Sequence, residues 1–254
     1  MNENRFSDLV NIIRRLRVEC PWDREQTNDS IKAATIEEAY EVVESIDNKD
    51  FDELKIELGD LLLHVIFHSV IAEEENKFKL EDVIDSIQSK LIRRHPHVFG
   101  NVEAMSAEDV KRNWETIKLS EGRNSVLEGV PENLPALQRA YRIQEKASKV
   151  GFDWDKKEQV WEKVIEEIGE MHKSEKEETR EELENEVGDV FFAMVNYSRF
   201  LGINPEYALR NSIKKFVRRF NYIEDKVTES GRKIHESNLK EMDKYWNESK
   251  KRFK

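Results

Sequence analysis

Ile36-Glu37-Glu38-Ala39-Tyr40-Glu41 returns later in the chain as Ile165-Glu166-Glu167-Ile168-Gly169-Glu170. Sixteen residues beyond Glu41 stands Glu57-Leu58-Gly59-Asp60, and sixteen beyond Glu170 stands Glu186-Val187-Gly188-Asp189. One shift of 129 residues, the separation of Ile36 from Ile165, relates all five acidic positions. The match extends outward with small insertions and deletions. Pro21-Trp22-Asp23 corresponds to Asp153-Trp154-Asp155, and Lys90-Leu91-Ile92-Arg93-Arg94 to Lys215-Phe216-Val217-Arg218-Arg219. Trp114-Glu115-Thr116-Ile117-Lys118 returns as Trp246-Asn247-Glu248-Ser249-Lys250. A duplicated domain is the simplest account.

The 254 residues suit two domains of about 125 residues each. Charged residues make up 37% of the chain, well above the roughly 25% of an ordinary soluble domain, and apolar residues at 38% still suffice for a core. Nine Gly and five Pro are too little punctuation for a many-stranded fold. The reading is all-α, two tandem repeats, each a four-helix-bundle-like domain with short connections. Gly and Pro cluster in Glu121-Gly122-Arg123-Asn124-Ser125 and Gly129-Val130-Pro131-Glu132-Asn133-Leu134-Pro135. The expected layout is therefore a first domain at 1–120, a linker at 121–135 and a second domain at 136–254. Within the domains, Asp50 is an expected helix N-cap and Ser106-Ala107-Glu108-Asp109 reads as a capping box. Asn204-Pro205 places Pro at a first helical position.

The 42 basic and 53 acidic residues leave a net charge of −11, the wrong sign for a general nucleic-acid binder. A single Cys20 cannot form an intrachain disulfide. No window approaches a membrane span, and Met1-Asn2-Glu3-Asn4-Arg5-Phe6-Ser7-Asp8 has no signal-peptide layout. The expected compartment is the cytoplasm, with no membrane and no direct nucleic-acid partner.

Glu38 and Glu41 share a helix face, as do Glu57 and Asp60. A solvated acidic face is the bland reading in so charged a chain. Two features oppose it. Asp60 opens into Leu61-Leu62-Leu63-His64-Val65-Ile66-Phe67 and Asp189 into Val190-Phe191-Phe192-Ala193-Met194-Val195, runs expected to be largely buried. Glu38 and Glu41 also fall in register with Ile31, Ala34 and Ser45, the seam of their own helix. Carboxylates in such places need a counter-charge. The expected metal ligands are Glu38, Glu41, Glu57 and Asp60 in the first repeat and Glu167, Glu170, Glu186 and Asp189 in the second. Hard oxygen donors favour Mg²⁺, with Mn²⁺ as a substitute. His64 and His68 continue the Asp60 stripe, either as packing or as ligands, but their counterparts are Ala193 and Tyr197.

The pattern Glu-Glu-x-x-Glu, a spacer, then Glu-x-x-Asp resembles the all-α nucleoside triphosphate pyrophosphohydrolases, and the tandem arrangement is similar to the MazG family. Cys20-Pro21-Trp22-Asp23-Arg24-Glu25-Gln26-Thr27, Arg93-Arg94-His95-Pro96-His97-Val98-Phe99, Pro131-Glu132-Asn133-Leu134-Pro135-Ala136-Leu137 and Val150-Gly151-Phe152-Asp153-Trp154 extend the resemblance over almost the whole chain. It implies Mg²⁺-dependent hydrolysis of nucleoside triphosphates to the monophosphate and pyrophosphate, in a dimer of helical domains. Deoxynucleotide-restricted and phosphoribosyl-ATP pyrophosphohydrolases are the enzymatic alternatives; a non-enzymatic helical regulatory partner is the other. A non-ligating oxygen of Glu37 or Glu38, and of Glu166 or Glu167, is the expected proton acceptor.

A triphosphate needs cations as well as carboxylates around it. Lys90 with Arg94, and Lys215 with Arg219, share helix faces and are expected at phosphate, against the alternative of an exposed stripe. Trp114 with Lys118, and Trp246 with Lys250, repeat the same step. By resemblance the Trp flanks base or ribose and the Lys reaches phosphate; from the residues alone each Trp reads as core packing. Trp22 and Trp154 are read as core anchors, and Arg14, Arg15 and Arg17 as a solvated face. Cys20 has no repeat counterpart or base partner, so it is not a nucleophile. No Gly-rich phosphate loop occurs.

Overall fold

The structure is a computed structural model describing residues 5–102, 106, 110, 117, 125–177 and 179–253. It divides into two compact units, Met1–Trp114 and Glu115–Lys254, and among the described residues every regular element is helical.

The first unit contains α1 (Arg5–Glu19), α2 (Pro21–Glu25), α3 (Lys32–Asn48), α4 (Phe51–Glu74), α5 (Leu80–Arg94) and α6 (Pro96–Phe99). Its frame is the hairpin of α3 and α4. Lys49 ends α3 in the left-handed region at φ 56°, and the next residue caps α4. As expected, that cap is Asp50: its carboxylate accepts the backbone N–H groups of Asp52 and Glu53, each at 3.1 Å. Helices α1 and α5 pack on α4. Between them Val10, Ile13, Ile31, Ile66, Phe67, Val70, Ile71 and Leu80 form the core.

Two arginines depart from the solvated face expected of α1, Arg17 most of all. The Arg17 side chain is only 7% exposed. Its guanidinium grips the Glu74 carboxylate with two hydrogen bonds, at 2.5 and 3.1 Å, and donates to the carbonyls of Asp23 and Gln26. It thereby fastens the turn around α2 to both α1 and α4. Arg14 pairs with Glu73 at 2.9 Å, so of the three only Arg15 stays on an exposed face.

The second unit contains α7 (Ala136–Ser148), α8 (Lys157–Glu177), α9 (Arg180–Phe200), α10 (Pro205–Glu229), a 3-10 turn (Ile234–Glu236) and α11 (Leu239–Arg252). Helices α8 and α9 form its hairpin, α7 packs on α9 and α10, and α11 packs on α10. Thr179 and Glu182 close a reciprocal cap at the start of α9. Asn204 caps α10, with Pro205 in its first turn. Val160, Val164, Ala193, Val195, Ile223 and Val227 are buried. The Gly- and Pro-rich stretch is fastened to this unit from residue 125 onward: the buried Lys146 ammonium donates to the carbonyls of Val126, at 3.2 Å, and Glu128, at 2.7 Å. Residues 121–124 of the expected linker, and 107–109 of the expected capping box, lie outside the described residues.

The apolar runs after Asp60 and Asp189 are not buried on every side. Ile66 and Phe67 enter the core, but Leu62, Leu63 and Val65 are exposed. Phe191 is 60% exposed, and Phe192 and Met194 are exposed with it. Within each unit the hairpin helices bury the face that meets their neighbours and leave the opposite face open.

Candidate active site

Helical register explains how carboxylates come to lie inside each hairpin. From Ile31 at the N-cap of α3, Thr35 and Glu38 follow at four- and three-residue steps, so Glu38 continues a stripe that starts at a buried isoleucine. On α8, Val160, Val164 and Glu167 follow the same steps, and Glu167 is only 8% exposed. From the facing helices come Glu57 on α4, which is buried, and Glu186 with Asp189 on α9. The hairpin brings Glu38, Glu41 and Glu57 together, with one oxygen of each lying within 4.8 Å of the others. Glu167, Glu186 and Asp189 meet by the same measure. Three of the four expected ligands thus converge in each unit. Asp60 and Glu170 stand outside these groups, Glu170 on the exposed edge of α8.

The carboxylates of the first cluster repel one another. Burial, a hydrogen bond with Glu53 and repulsion from Glu41, Glu53 and Asp60 push the Glu57 carboxyl up to about 7. Burial, Glu41 and Asp60 raise Glu38, opposed by His64. Beside the cluster runs a polar chain. Thr35 Oγ1 lies 2.9 Å from His64 Nδ1 and 2.8 Å from His68 Nε2, and His68 Nδ1 lies 2.6 Å from Asn28 Oδ1. His64 Nε2 is 3.9 Å from Glu38 Oε1. Oxygen donors that repel one another in this way, with Glu57 buried, Glu38 half-buried and Glu41 exposed, suit a hard divalent cation.

The second cluster has its own cation. Lys163, one turn before Glu167 on α8, places its ammonium 2.7 Å from Glu166 and 2.7 Å from Glu167. Beside it opens a cavity of about 720 Å³, within the range of small-molecule sites. Glu167, Asp189 and Lys163 line one part of it; Trp154, Phe152 and Phe192 supply aromatic wall. Gly151, at φ 87°, makes the turn that presents Phe152 and Trp154. Arg199 anchors this turn from α9, donating to both carboxylate oxygens of Asp153 at 3.0 and 2.5 Å. Trp154 is therefore no core anchor but a half-open wall of the cavity, and Trp22 in the first unit is 65% exposed. Trp22 stands on the short helix α2 and Trp154 in the turn before α8, and both keep part of the ring open to solvent.

The other expected contacts lie elsewhere. Lys90 is exposed near the end of α5, with Arg94 half-buried one turn on. Lys215 is exposed on α10, while Arg219 lies 5.8 Å from the Trp246 ring and donates to the Phe253 carbonyl at 3.3 Å. Trp246 packs on Phe216, ring centres 5.3 Å apart, and Lys250 donates to Asn247 at 3.1 Å. None of Lys215, Arg219, Trp246 and Lys250 is among the described residues lining the cavity. Trp114 and Lys118 lie outside the described residues.

The MazG nucleotide pyrophosphohydrolase domain matches this chain twice, at residues 26–99 and 155–223. The chain belongs to the MazG family. Each matched segment contains one carboxylate cluster. The nucleoside triphosphate pyrophosphohydrolase/pyrophosphatase MazG of Thermotoga maritima is 46% identical over 250 residues, covering 96% of this chain and 95% of the relative. The nucleoside triphosphate pyrophosphohydrolase of Escherichia coli K12 is 41% identical over 257 residues, covering 98% of each. The uncharacterized protein YabN of Bacillus subtilis is 46% identical over 251 residues, covering 96% of this chain and 51% of that one. In this MazG chain the residues that sequence reasoning missed are Lys163, Arg199 and Asn196, which lines the cavity and accepts from Arg199. Lys163 left a signal, since a lysine four residues before a seam glutamate is placed to pair with it.

Proposed function

We propose that the chain hydrolyses nucleoside triphosphates between the α- and β-phosphates, releasing the monophosphate and pyrophosphate, with Mg²⁺ as its cation and Mn²⁺ as a substitute. The observation that carries this reading is that Glu167 and Asp189 belong at once to a three-carboxylate cluster and to the wall of an open cavity. Glu38, Glu41 and Glu57 in the first unit, and Glu167, Glu186 and Asp189 in the second, would hold the cation. Bound there, a divalent ion offsets phosphate charge and acidifies a water. A free oxygen of Glu37 or Glu38, and of Glu166 or Glu167, takes the proton of the attacking water. Lys163 sets a positive charge where the phosphates enter, and the Trp154 turn covers the organic part of the nucleotide.

An aromatic wall reads the face of a base, not its edge, which favours broad use of ribo- and deoxyribonucleotides and of purines and pyrimidines. The exposed faces of α4 and α9 favour a homodimer, since apolar surface of this kind marks association. The single Cys20 suits the reducing cytoplasm. Among the described residues no helix is long and apolar enough to cross a membrane. The test is product analysis by anion exchange after incubation with ATP or dTTP and Mg²⁺. Monophosphate and pyrophosphate are expected; diphosphate and orthophosphate as first products would overturn the reading.

A further inference from the structure

The two carboxylate clusters differ by a reciprocal exchange. His64 of the first unit corresponds to Ala193 in the second, and Lys163 of the second corresponds to Ala34 in the first. The partners of His64 are exchanged too: Thr35 becomes Val164 and His68 becomes Tyr197. The whole polar chain therefore belongs to the first unit alone.

Its hydrogen bonds give the chain a direction. Asn28 Oδ1 can only accept, so His68 Nδ1 donates to it. Burial, followed by the neighbouring His64, holds His68 below its ordinary range, which leaves Nε2 as an acceptor for the Thr35 hydroxyl. That bond is shorter than the competing 3.2 Å contact of the hydroxyl with the Ile31 carbonyl. The Thr35 oxygen then receives the Nδ1–H of His64. His64 is left with its Nε2 lone pair on the side of Glu38. The 3.9 Å between Nε2 and Glu38 Oε1 is too long for a hydrogen bond. It is within the roughly 4.2 Å that two donors about 2.1 Å from one ion can span. His64, like Asp60, stands outside the group of Glu38, Glu41 and Glu57 and must swing inward to join it. An imidazole held by its far nitrogen is how proteins orient a metal-ligating histidine.

We propose that His64 supplies a nitrogen ligand to the cation of the first unit, so that the two sites of one chain select different ions. A nitrogen donor shifts preference from Mg²⁺ toward Mn²⁺ and later transition ions. In the second unit the cation beside the buried glutamate is an ammonium, which has no lone pair to offer, and the donor set there is oxygen alone. The inference rests on the metal-dependent reading above.

The test loads Mn²⁺ onto the full chain carrying Glu167→Gln and Asp189→Asn, with its histidines labelled in the ring with ¹⁵N, and records the electron spin echo modulation. The expected spectrum shows a directly bound imidazole nitrogen. His64→Gln removes that coupling and lowers the Mn²⁺ over Mg²⁺ preference of the first site about tenfold or more. Thr35→Val, with the imidazole intact, weakens Mn²⁺ binding about 10- to 100-fold. Mn²⁺ bound to the Glu167→Gln, Asp189→Asn chain without histidine coupling overturns the proposal and leaves the metal reading standing. So does failure of the Glu167→Gln, Asp189→Asn chain to bind Mn²⁺ that the unaltered chain binds. Absence of binding to the unaltered chain overturns the metal-dependent reading itself.

Discussion

Lys163 Nζ lies 2.7 Å from Glu167 Oε1, an ammonium one turn away from a carboxylate that the core of the second unit nearly encloses. Removing the cation leaves the carboxylate in place with its burial cost uncompensated. Lys163→Met should destabilise the second unit by about 1–2 kcal/mol, less than for a fully buried pair because the Lys163 side chain is 38% exposed. Mg²⁺ should restore most of that loss by supplying the missing charge. Urea unfolding with Mg²⁺ and with chelator measures both. A deficit that Mg²⁺ leaves untouched would show that the cluster holds no cation.

The two units should contribute unequally to turnover, because the open cavity adjoins the second cluster. Glu167→Gln with Glu186→Gln should lower Mg²⁺-dependent hydrolysis of ATP more than about 100-fold, since even residues that merely support ligands are worth 10- to 100-fold. Glu38→Gln with Glu41→Gln should leave more activity behind. The reverse ranking in steady-state assays would reassign the principal site to the first unit.

Asp153 and Arg199 are 46 residues apart in sequence, and their paired hydrogen bonds fix the turn that presents Trp154. Asp153→Asn keeps the shape and weakens the tether. A loss of about 1–2 kcal/mol of restraint corresponds to a 5- to 30-fold rise in KM for ATP. The constant kcat should change little, because Asp153 is not among the clustered carboxylates. A fall in kcat at unchanged KM would place Asp153 in the chemistry instead.

The cap between α8 and α9 gives a pH signature. Hydrogen bonds from the Thr179 hydroxyl, then from its backbone N–H, hold the Glu182 carboxyl below the usual range. A depressed carboxyl stabilises the fold above its unfolded value, and the stabilisation disappears as pH falls through the folded value. Thr179→Ala should therefore lower Tm at neutral pH by about 2–4 °C. The gap from the unaltered chain should narrow in acid, as thermal melts across pH will show; a gap that widens there contradicts the cap.

Those parts of the site that follow helical register are legible from sequence. Glu38 and Glu167 continue stripes begun by Ile31 and Val160, so a period of 3.6 places them inward without knowledge of any neighbour. The duplication adds the second strong signal, since one shift carries the whole acidic set. Register does not say where a turn folds back. Trp154 lies in a turn held by Arg199 from another helix, and its large apolar ring suggested the core it does not enter. Arg17 misled for the same reason, because its carboxylate partner Glu74 is 57 residues away. The apolar runs of α4 and α9 reveal hydrophobicity but not how many neighbours are present to cover them. Lys215, Arg219, Trp246 and Lys250 came from family resemblance and phosphate chemistry, and the structure gathers them on α10 and α11, apart from the cavity lining.

The open faces of α4 and α9 also bear on how stability is expressed. If a second copy covers Phe191, Phe192 and Met194, folding and association share one equilibrium, and mass action enters the free energy of unfolding. The protein then has no melting temperature independent of its own concentration. Dilution alone would then erode the fold that places Asp189 opposite Glu167. In that case the same apolar residues would tie the competence of the site to abundance, with no regulatory ligand or modification needed.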